Sequence, residues 1–366
     1  MTSTLHVGTR KGLFQVAKHD GTWQVLKSDF LGAQVPTLHV SPDGRTIYAG
    51  LKHGHFGAKM HRSSDGGTTW QEIATPAYPP KPDDVPDIID QMRNVAIPWS
   101  LELIWCLEQG SDERLWCGTI PGGLFTSDDQ GDSWQLNMPL WMLPNRRHWM
   151  GGGYDYPGIH SICIDPNDPK KVTVAISCGG VWQSRDGGVT WQSRATGMRA
   201  EYMPPDRAFD PDIQDPHRMV QCRTSPNHFW VQHHNGIFRS TDEGANWQEI
   251  ANVQPSGFGF AVVVSPHDPN KAWFVPAVKD SDRYPVDGQF VVTRTRDGGK
   301  SFEVLRNGLP QSHAYHLVYR HAMDISFAGD ILAMGSTTGG LWISEDAGDH
   351  WQHVTSDLPP IFTVRF

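Results

Sequence analysis

The sequence predicts an all-β fold, a single seven-bladed β-propeller, and three observations lead to it. An eight-residue pattern, Ser-x-Asp-x-Gly-x-(Thr, Ser or Asn)-Trp, occupies residues 63–70 and returns along the chain. Copies follow one another at intervals near 50 residues, a period typical of stacked supersecondary units. The composition, with Gly 37, Pro 27 and Trp 15 among many short β-type runs, is typical of an all-β protein.

The copies differ in completeness. Residues 63–70, 127–134, 184–191 and 240–247 hold nearly complete copies, residues 295–302 and 344–351 hold altered ones, and residues 19–23 keep only the turn and the ring. The ring positions are Trp23, Trp70, Trp134, Trp191, Trp247, Phe302 and Trp351. Seven copies predict seven blades.

Each copy has the chemistry of a tight turn between two strands. Asp and Gly stand where side-chain hydrogen bonds to the backbone and positive φ are needed. We therefore interpret the repeated aspartates as turn formers rather than catalytic carboxylates. They are Asp65, Asp129, Asp186, Asp242, Asp297 and Asp346. The ring that ends each copy is expected to pack back across its own hairpin.

This signature resembles the Asp-box, or BNR repeat, and the resemblance extends over the whole chain. In that family the box is a structural hairpin on the rim of a propeller blade, away from the ligand face. The resemblance implies a site on the opposite face.

Charge and composition exclude several classes of function. The net charge of -9 gives no basic face for nucleic acid or for an anionic membrane. No apolar run approaches the roughly 20 residues of a membrane span. The five cysteines have no regular spacing and suggest reduced thiols. The first residues show no secretory signal, so a cytoplasmic location is expected.

The two ends of the chain are predicted to meet in blade one. With strands A to D counted from the central channel outward, residues 1–27 supply strands B, C and D but no strand A. Residues 361–366 form the missing strand, so residues 1–366 make one domain. Pairing of the ends removes the exposed sheet edges of an open array.

Long insertions are expected on one face of the ring. They connect strand D to the next strand A at residues 75–98, 138–159 and 195–216, and strand B to C at residues 278–289. In a propeller, D–A and B–C connections emerge opposite the C–D turns. Loops on one face of a rigid scaffold are where sites are usually built.

Histidines on these connections are the first candidate chemistry. His53, His160, His233 and His316 fall near the predicted channel mouth, where converging imidazoles could bind a divalent metal together with a carboxylate. No metal-binding spacing such as a pair of histidines on a helix or Cys-x-x-Cys is present. Satisfied polar histidines are the competing interpretation, and the cofactor stays unknown.

Carboxylates with aromatic neighbours are the second candidate. Asp155 and Glu201 occupy equivalent points of consecutive insertions and could face each other as an acid–base pair. Trp149, Tyr156 and Tyr202 could serve as platforms for a sugar ring. If so, the two carboxyl groups line one pocket roughly 5–10 Å apart. Solvated loop carboxylates are the competing interpretation.

Arginines are the third candidate, through a resemblance to sialidases, which are propellers with Asp-boxes. That family binds the substrate carboxylate with three arginines. Arg10, Arg218, Arg283 and Arg320 lie near predicted mouth positions, but residues 9–12 lack the arginine-proline motif of the family, and no triad can be assigned.

Three functions remain open. The first is a carbohydrate-active propeller resembling Asp-box glycoside hydrolases such as sialidases and xyloglucanases, with a small-molecule or saccharide ligand at the mouth. The second is a non-catalytic scaffold for a protein partner, resembling the photosystem II assembly factor or the sortilin ectodomain. The third is a metal-dependent hydrolase or lyase that uses the mouth histidines. Fold alone does not decide among them.

Overall fold

Seven four-stranded antiparallel sheets form the seven blades of a β-propeller, as predicted. The computed structural model describes residues 4–90 and 93–366. Within these ranges an additional two-stranded sheet pairs Ile89–Asp90 with Val95–Ala96. The A strands of neighbouring blades contact one another around the central channel.

The first blades have the following bounds. In blade one, strands B, C and D are Leu5–Thr9, Gly12–His19 and Thr22–Asp29. In blade two, strands A to D are Gln34–Val40, Ile47–Lys52, Ala58–Ser63 and Gln71–Ile73. In blade three they are Leu103–Gln109, Leu115–Ile120, Leu124–Ser127 and Gln135–Leu136. In blade four they are Ile159–Asp165, Asp168–Ile176, Gly180–Ser184 and Gln192–Ser193.

The remaining blades follow the same order. In blade five, strands A to D are Pro216–Gln221, Phe229–His233, Gly236–Ser240 and Gln248–Ile250. In blade six they are Gly259–Val264, Ala272–Pro276, Val292–Thr295 and Glu303–Leu305. In blade seven they are Met323–Ile325, Leu332–Gly335, Leu341–Ser344 and Gln352–Thr355.

The ring closes through its two chain ends. Strand A of blade one is Ile361–Arg365, which pairs antiparallel with Leu5–Thr9. Val7 lies opposite Val364, and both are fully buried. The predicted closure is confirmed, and strand D of this blade continues two residues beyond the predicted limit of residue 27.

Helical structure is confined to connections between strands. One α-helical turn spans Met138–Trp141, and 3-10 turns span Gly54–Phe56, Pro144–His148 and Val286–Gly288. In the described part of the chain, no helix has the length and hydrophobicity needed to span a bilayer.

The repeated aspartates hold the C–D turns, as the sequence predicts. In the copy at residues 184–191, Ser184 Oγ donates to Asp186 Oδ1 at 2.8 Å. The amide of Thr190 donates to the same oxygen at 2.9 Å, and its hydroxyl donates to Asp186 Oδ2 at 2.6 Å. The Gly188 amide donates to Ser184 Oγ at 2.7 Å. These bonds lower the Asp186 pKa to about 2, with the Thr190 hydroxyl as the largest cause.

The ring that ends a copy contacts its own hairpin in one case, where Trp191 Nε1 donates to the Gly188 carbonyl at 3.2 Å, and the preceding blade in others. Trp247 Nε1 of blade five donates to the Arg194 carbonyl of blade four at 2.7 Å. Trp134 Nε1 of blade three donates to the Ala74 carbonyl beyond blade two at 2.9 Å. An indole suits this position, because its apolar ring packs against neighbouring side chains while its N–H donates to a backbone carbonyl. The repeat therefore joins blades as well as turning strands.

Candidate functional site

The central channel opens into cavities on both faces of the ring. The face with the A–B and C–D turns, called here the rear face, has a cavity of about 450 Å³. Its Glu108 carboxylate lies 3.6 Å from His39 Nδ1 and 3.6 Å from Arg365 Nη2. The Glu108 carboxylate is thus paired with side chains of the protein itself and does not point to a bound ligand.

The opposite face, called here the front face, has a cavity of two adjoining lobes. The aromatic lobe measures about 370 Å³ and is lined by Trp105, Tyr154 and Tyr319, among others. The histidine lobe measures about 290 Å³ and contains Asp215, His217, His234 and Tyr202. Both lobes are lined by Gly153, Phe260, Arg283 and Arg320. The D–A and B–C connections together with the A strands build one composite site, which we call the front cavity.

A glycine-rich segment, residues 151–153, forms part of its wall. A Cβ added at Gly152 would lie 2.5 Å from Ser177 Oγ, 3.0 Å from Cys178 Sγ and 3.3 Å from Asp215 Oδ1. A side chain at residue 152 would displace Ser177 or Cys178, the two residues that hydrogen-bond Asp215 Oδ1. This loop and the carboxylate therefore form a single packed unit.

Arg320 is the buried cation of the front cavity. It is 7% exposed, and its Nε has no hydrogen-bond partner. Its guanidinium carbon lies 4.9 Å from the Trp105 ring centre and 5.6 Å from that of Phe260. Among the ion pairs of the described residues, none involves Arg320. Burial lowers its pKa, because the charged form loses solvation.

Arg283 brings a second guanidinium to the same aromatic ring. Its guanidinium carbon lies 5.3 Å from the Phe260 ring centre. Unlike Arg320, it pairs with a carboxylate, Asp280, with Nη2 2.5 Å from Oδ1. Two cations therefore flank Phe260, and one of them is neutralised by the protein.

Asp215, His217 and His234 form a compact group in the histidine lobe. Their potential ligand atoms all lie within 4.8 Å of one another, and within the described ranges this is the group of His, Cys, Asp or Glu side chains that could hold a metal ion. Asp215 Oδ2 is 3.5 Å from His217 Nε2 and 3.4 Å from His234 Nδ1. Two imidazoles and a carboxylate form a donor set suited to a divalent transition metal.

Burial and charge oppose each other in this group. Burial works against ionisation of Asp215, but His217 and His234 hold its pKa well below the ordinary value. Burial lowers the pKa of His217. For His234, burial also lowers the pKa, yet the Asp215 carboxylate outweighs it and raises the pKa overall. The carboxylate is therefore ionised at neutral pH.

The structure does not support the predicted acid–base pair. The Asp155 side chain is 76% exposed and pairs with Arg93, and the Glu201 side chain is 67% exposed and lies 3.4 Å from Arg199 Nη2. Neither carboxylate lines the front cavity. Both side chains are solvent-exposed and paired with an arginine, as the competing interpretation of solvated loop carboxylates expects.

The predicted aromatic platforms occupy three different environments. Trp149 is fully buried in a hydrophobic cluster and offers no face to a ligand. Tyr156 packs against the cluster of Trp105. Tyr202 lines the histidine lobe, with its hydroxyl donating to the Ile213 carbonyl at 2.6 Å. Tyr202 alone of the three is both at the cavity and partly exposed.

The predicted arginines are likewise separated. Arg10 is exposed on the B–C turn of blade one. Arg218 lines the rear cavity and donates to the His160 carbonyl at 3.3 Å. Arg283 and Arg320 line the front cavity, so the structure brings two of the four to the site.

None of the four histidines predicted as metal ligands belongs to the group around Asp215. His160 is fully buried, and burial keeps its pKa well below the ordinary value. His233 accepts a hydrogen bond from the Asp215 amide at 3.1 Å. His316 Nδ1 lies 2.6 Å from Thr338 Oγ1, and His53 is exposed in a loop. The structure gives the first three polar roles within the fold.

Sequence reasoning missed Asp215, His217 and Trp105 as cavity residues, whereas Arg283 was among the arginines predicted near the mouth. A signal for the first two was present, since Asp215-Pro216-His217 opens strand A of blade five beside the long D–A insertion. Their partner, His234, stands next to His233 at the B–C turn of the same blade.

Comparisons with known proteins give relatives of this fold. No family model matches the sequence. A stretch of 148 residues is 26% identical to the xyloglucanase Xgh74A of Acetivibrio thermocellus and covers 37% of this chain and 16% of that protein. The solved GH74 xyloglucanase of Xanthomonas campestris superposes with a TM-score of 0.66 and 18% identity, over 98% of this chain and 53% of that one. A structure of YCF48 bound to a D1 peptide superposes with a TM-score of 0.57 and 14% identity, over 90% of this chain and 84% of that one.

The chain spans a small part of the curated xyloglucanase and about half of the solved one. At these identities the structural matches show a shared propeller fold and no more. In fold, the chain is similar to a GH74 xyloglucanase and to YCF48.

Proposed function

We propose that the front cavity binds a small acidic saccharide, with Arg320 holding the anionic group. The observation that supports this most directly is a buried guanidinium without a carboxylate partner. Taking a charge out of water is costly unless a counter-charge or hydrogen bonds compensate. A ligand carboxylate would supply both, because the guanidinium fork matches its two oxygens.

The aromatic lobe suits the rest of such a ligand. Trp105, Tyr154 and Tyr319 line it together with the polar side chains of Gln34 and Lys52. Aromatic rings bury the apolar C–H face of a sugar, while polar side chains bind its hydroxyls. A volume of about 370 Å³ is that of a small-ligand pocket. The partial similarity to a xyloglucanase also supports a saccharide ligand.

Thermal shift and calorimetry with matched sugars test the proposal. D-glucuronate differs from D-glucose by its carboxylate, so the uronate should raise the melting temperature and glucose should raise it much less. Arg320→Gln should weaken glucuronate binding by about 10- to 100-fold, because a charge-assisted hydrogen bond contributes roughly 1.5–3 kcal/mol.

Arg10→Gln is the matched control, since Arg10 is an exposed arginine outside the cavity. It should bind glucuronate as the unaltered protein does. Equal shifts with glucose and glucuronate, or full binding by Arg320→Gln, would show that Arg320 is not an anion site.

A protein-binding scaffold is the second candidate, and the front rim favours it. Six of the seven exposed phenylalanines and tyrosines in the described ranges lie on D–A or B–C connections: Phe56, Tyr154, Tyr202, Phe209, Tyr284 and Tyr315. Exposed aromatic side chains are enriched where proteins meet partners. The triple variant of Phe56, Phe209 and Tyr315 to Ser should abolish capture of a protein partner by the purified chain. Under the saccharide proposal the same variant keeps glucuronate binding.

A further inference from the structure

We propose that Asp215, His217 and His234 bind a divalent transition-metal ion in the histidine lobe, and that Zn²⁺ and Mn²⁺ are suitable ions. None of these three residues is among the four histidines, His53, His160, His233 and His316, that the sequence singled out as metal ligands. The metal site itself does not depend on the proposed saccharide.

The spacing of the three side chains is that of ligands around an ion. Asp215 Oδ2 lies 3.5 Å from His217 Nε2 and 3.4 Å from His234 Nδ1. Both distances exceed the usual 2.7–3.2 Å of an N–H···O hydrogen bond. Ligand atoms about 2.1 Å from a tetrahedral ion are about 3.4 Å apart. The two separations from Asp215 Oδ2 therefore match those between ligand atoms of a tetrahedral ion.

Neighbouring groups orient two of the three ligands, His217 and Asp215. His217 Nδ1 lies 2.7 Å from the Gly259 carbonyl, to which its N–H donates, so the lone pair of the neutral ring is on Nε2. Asp215 Oδ1 accepts from the Cys178 amide at 3.2 Å and from Ser177 Oγ at 3.4 Å. These bonds occupy the far oxygen and leave Oδ2 for the metal. Metal-binding histidines and carboxylates are typically held by such outer partners.

The donor set selects the class of metal and leaves room for a ligand. Two imidazoles and one carboxylate suit Zn²⁺, Mn²⁺ or Fe²⁺, whereas Mg²⁺ and Ca²⁺ prefer oxygen ligands. Three protein ligands leave at least one coordination position open. The adjoining space of about 290 Å³ can hold water or part of a substrate at that position.

The charge around the site calls for an anion beside the metal. A divalent ion with one aspartate has an excess positive charge, and Arg320 lines the same lobe. A ligand carboxylate between the metal and Arg320 would neutralise both. This coupling rests on the proposed function. It requires the metal to raise the affinity for the anionic ligand, and the ligand to raise the affinity for the metal by the same factor.

Metal content and calorimetry of tag-free protein test the site. Protein stripped with a chelator is dialysed against Zn²⁺, Mn²⁺ or Mg²⁺ and analysed by mass spectrometry, without any saccharide. One equivalent of Zn²⁺ or Mn²⁺ is expected, with little Mg²⁺. The metal affinity of His217→Ala and of His234→Ala should fall by more than the roughly 10- to 100-fold expected when an outer hydrogen-bond partner of a ligand is changed. His53→Ala, at an exposed histidine, is the matched control and should bind normally.

Three results would overturn the metal site. They are the absence of stoichiometric Zn²⁺ or Mn²⁺, full binding by both histidine variants, or equal loss in His53→Ala. Melting curves without metal show whether each variant is folded. If an alanine variant does not fold, Asp215→Asn, which keeps the size of the side chain, tests the metal site in its place. Metal affinity unchanged by glucuronate overturns the coupling, whereas failure of glucuronate to bind in metal-loaded protein contradicts the proposed function.

Discussion

A buried guanidinium without a carboxylate costs folding free energy, and Arg320 is in that position. The rings of Trp105 and Phe260 compensate in part, since a cation over an aromatic face gains about 0.5–2 kcal/mol. Desolvation of the charge opposes this gain, as the lowered pKa of Arg320 shows. Residues kept at a cost to stability are typical of binding sites.

Arg320→Met should therefore stabilise the ligand-free protein, by about 1 kcal/mol, because it removes an uncompensated charge and keeps the length of the side chain. Urea unfolding measures this change. Arg294→Met is the matched control, because Arg294 is also buried but its guanidinium pairs with Glu303 and Asp349. The control should lose stability. A loss of similar size in both variants would mean that Arg320 is a structural residue.

At the residue scale, the sequence predicted the face of the site better than its members. Side chains alternate along a strand, so whether His233 or His234 reaches the cavity depends on register and on the irregular pairing between Pro216 and Arg218. Trp149 was misplaced for another reason. Its insertion contains helical turns, which fold the ring back into the core, and no repeat signals such local structure.

The C–D turn is the element that the sequence predicted in most detail, because its chemistry is local. In the turns of Asp65, Asp129, Asp186 and Asp297, hydrogen bonds to the ionised carboxylate lower the pKa to about 2. The unfolded value is near 3.8. Ionisation of these groups thus stabilises the fold above pH 3.8, and that stability is lost as the pH falls toward 2.

Asp186→Asn should reduce the pH dependence of stability in this window. The unaltered protein binds protons when it unfolds between pH 4 and 2. The variant should bind up to one proton fewer per molecule on unfolding. Chemical unfolding at several pH values gives the slope. Asp206→Asn, at an exposed aspartate outside the turns, should leave the slope unchanged. A slope in Asp186→Asn equal to that of the control would show that the turn carboxylate is not a source of acid sensitivity.

At the scale of the whole molecule, seven repeats predicted both the number of blades and the need for closure. An open ring has two sheet edges with unpaired backbone groups, and such edges promote association with other chains. The C-terminal strand Ile361–Arg365 pairs with Leu5–Thr9 and so covers the inner edge of blade one. The Ile361 amide also donates to the Ser336 carbonyl of blade seven at 3.0 Å. The closing strand therefore joins the first blade to the last.

Deletion of residues 361–366 should unfold or aggregate the protein. Ile361 and Val364 are buried, and full burial of each contributes about 1.5–3 kcal/mol. Their loss approaches the roughly 5–15 kcal/mol that stabilises a typical domain, before any backbone bond is counted. Light scattering and thermal unfolding measure the effect.

A circular permutant that attaches the same six residues ahead of Leu5 through a short loop is the control, because Arg365 lies opposite His6 and the ends of the two paired strands are close. The permutant should melt near the temperature of the unaltered protein, since it keeps the strand and changes only its connection. If the truncated chain instead melts like the permutant, the closing strand is dispensable and the propeller is held by the packing of its blades alone.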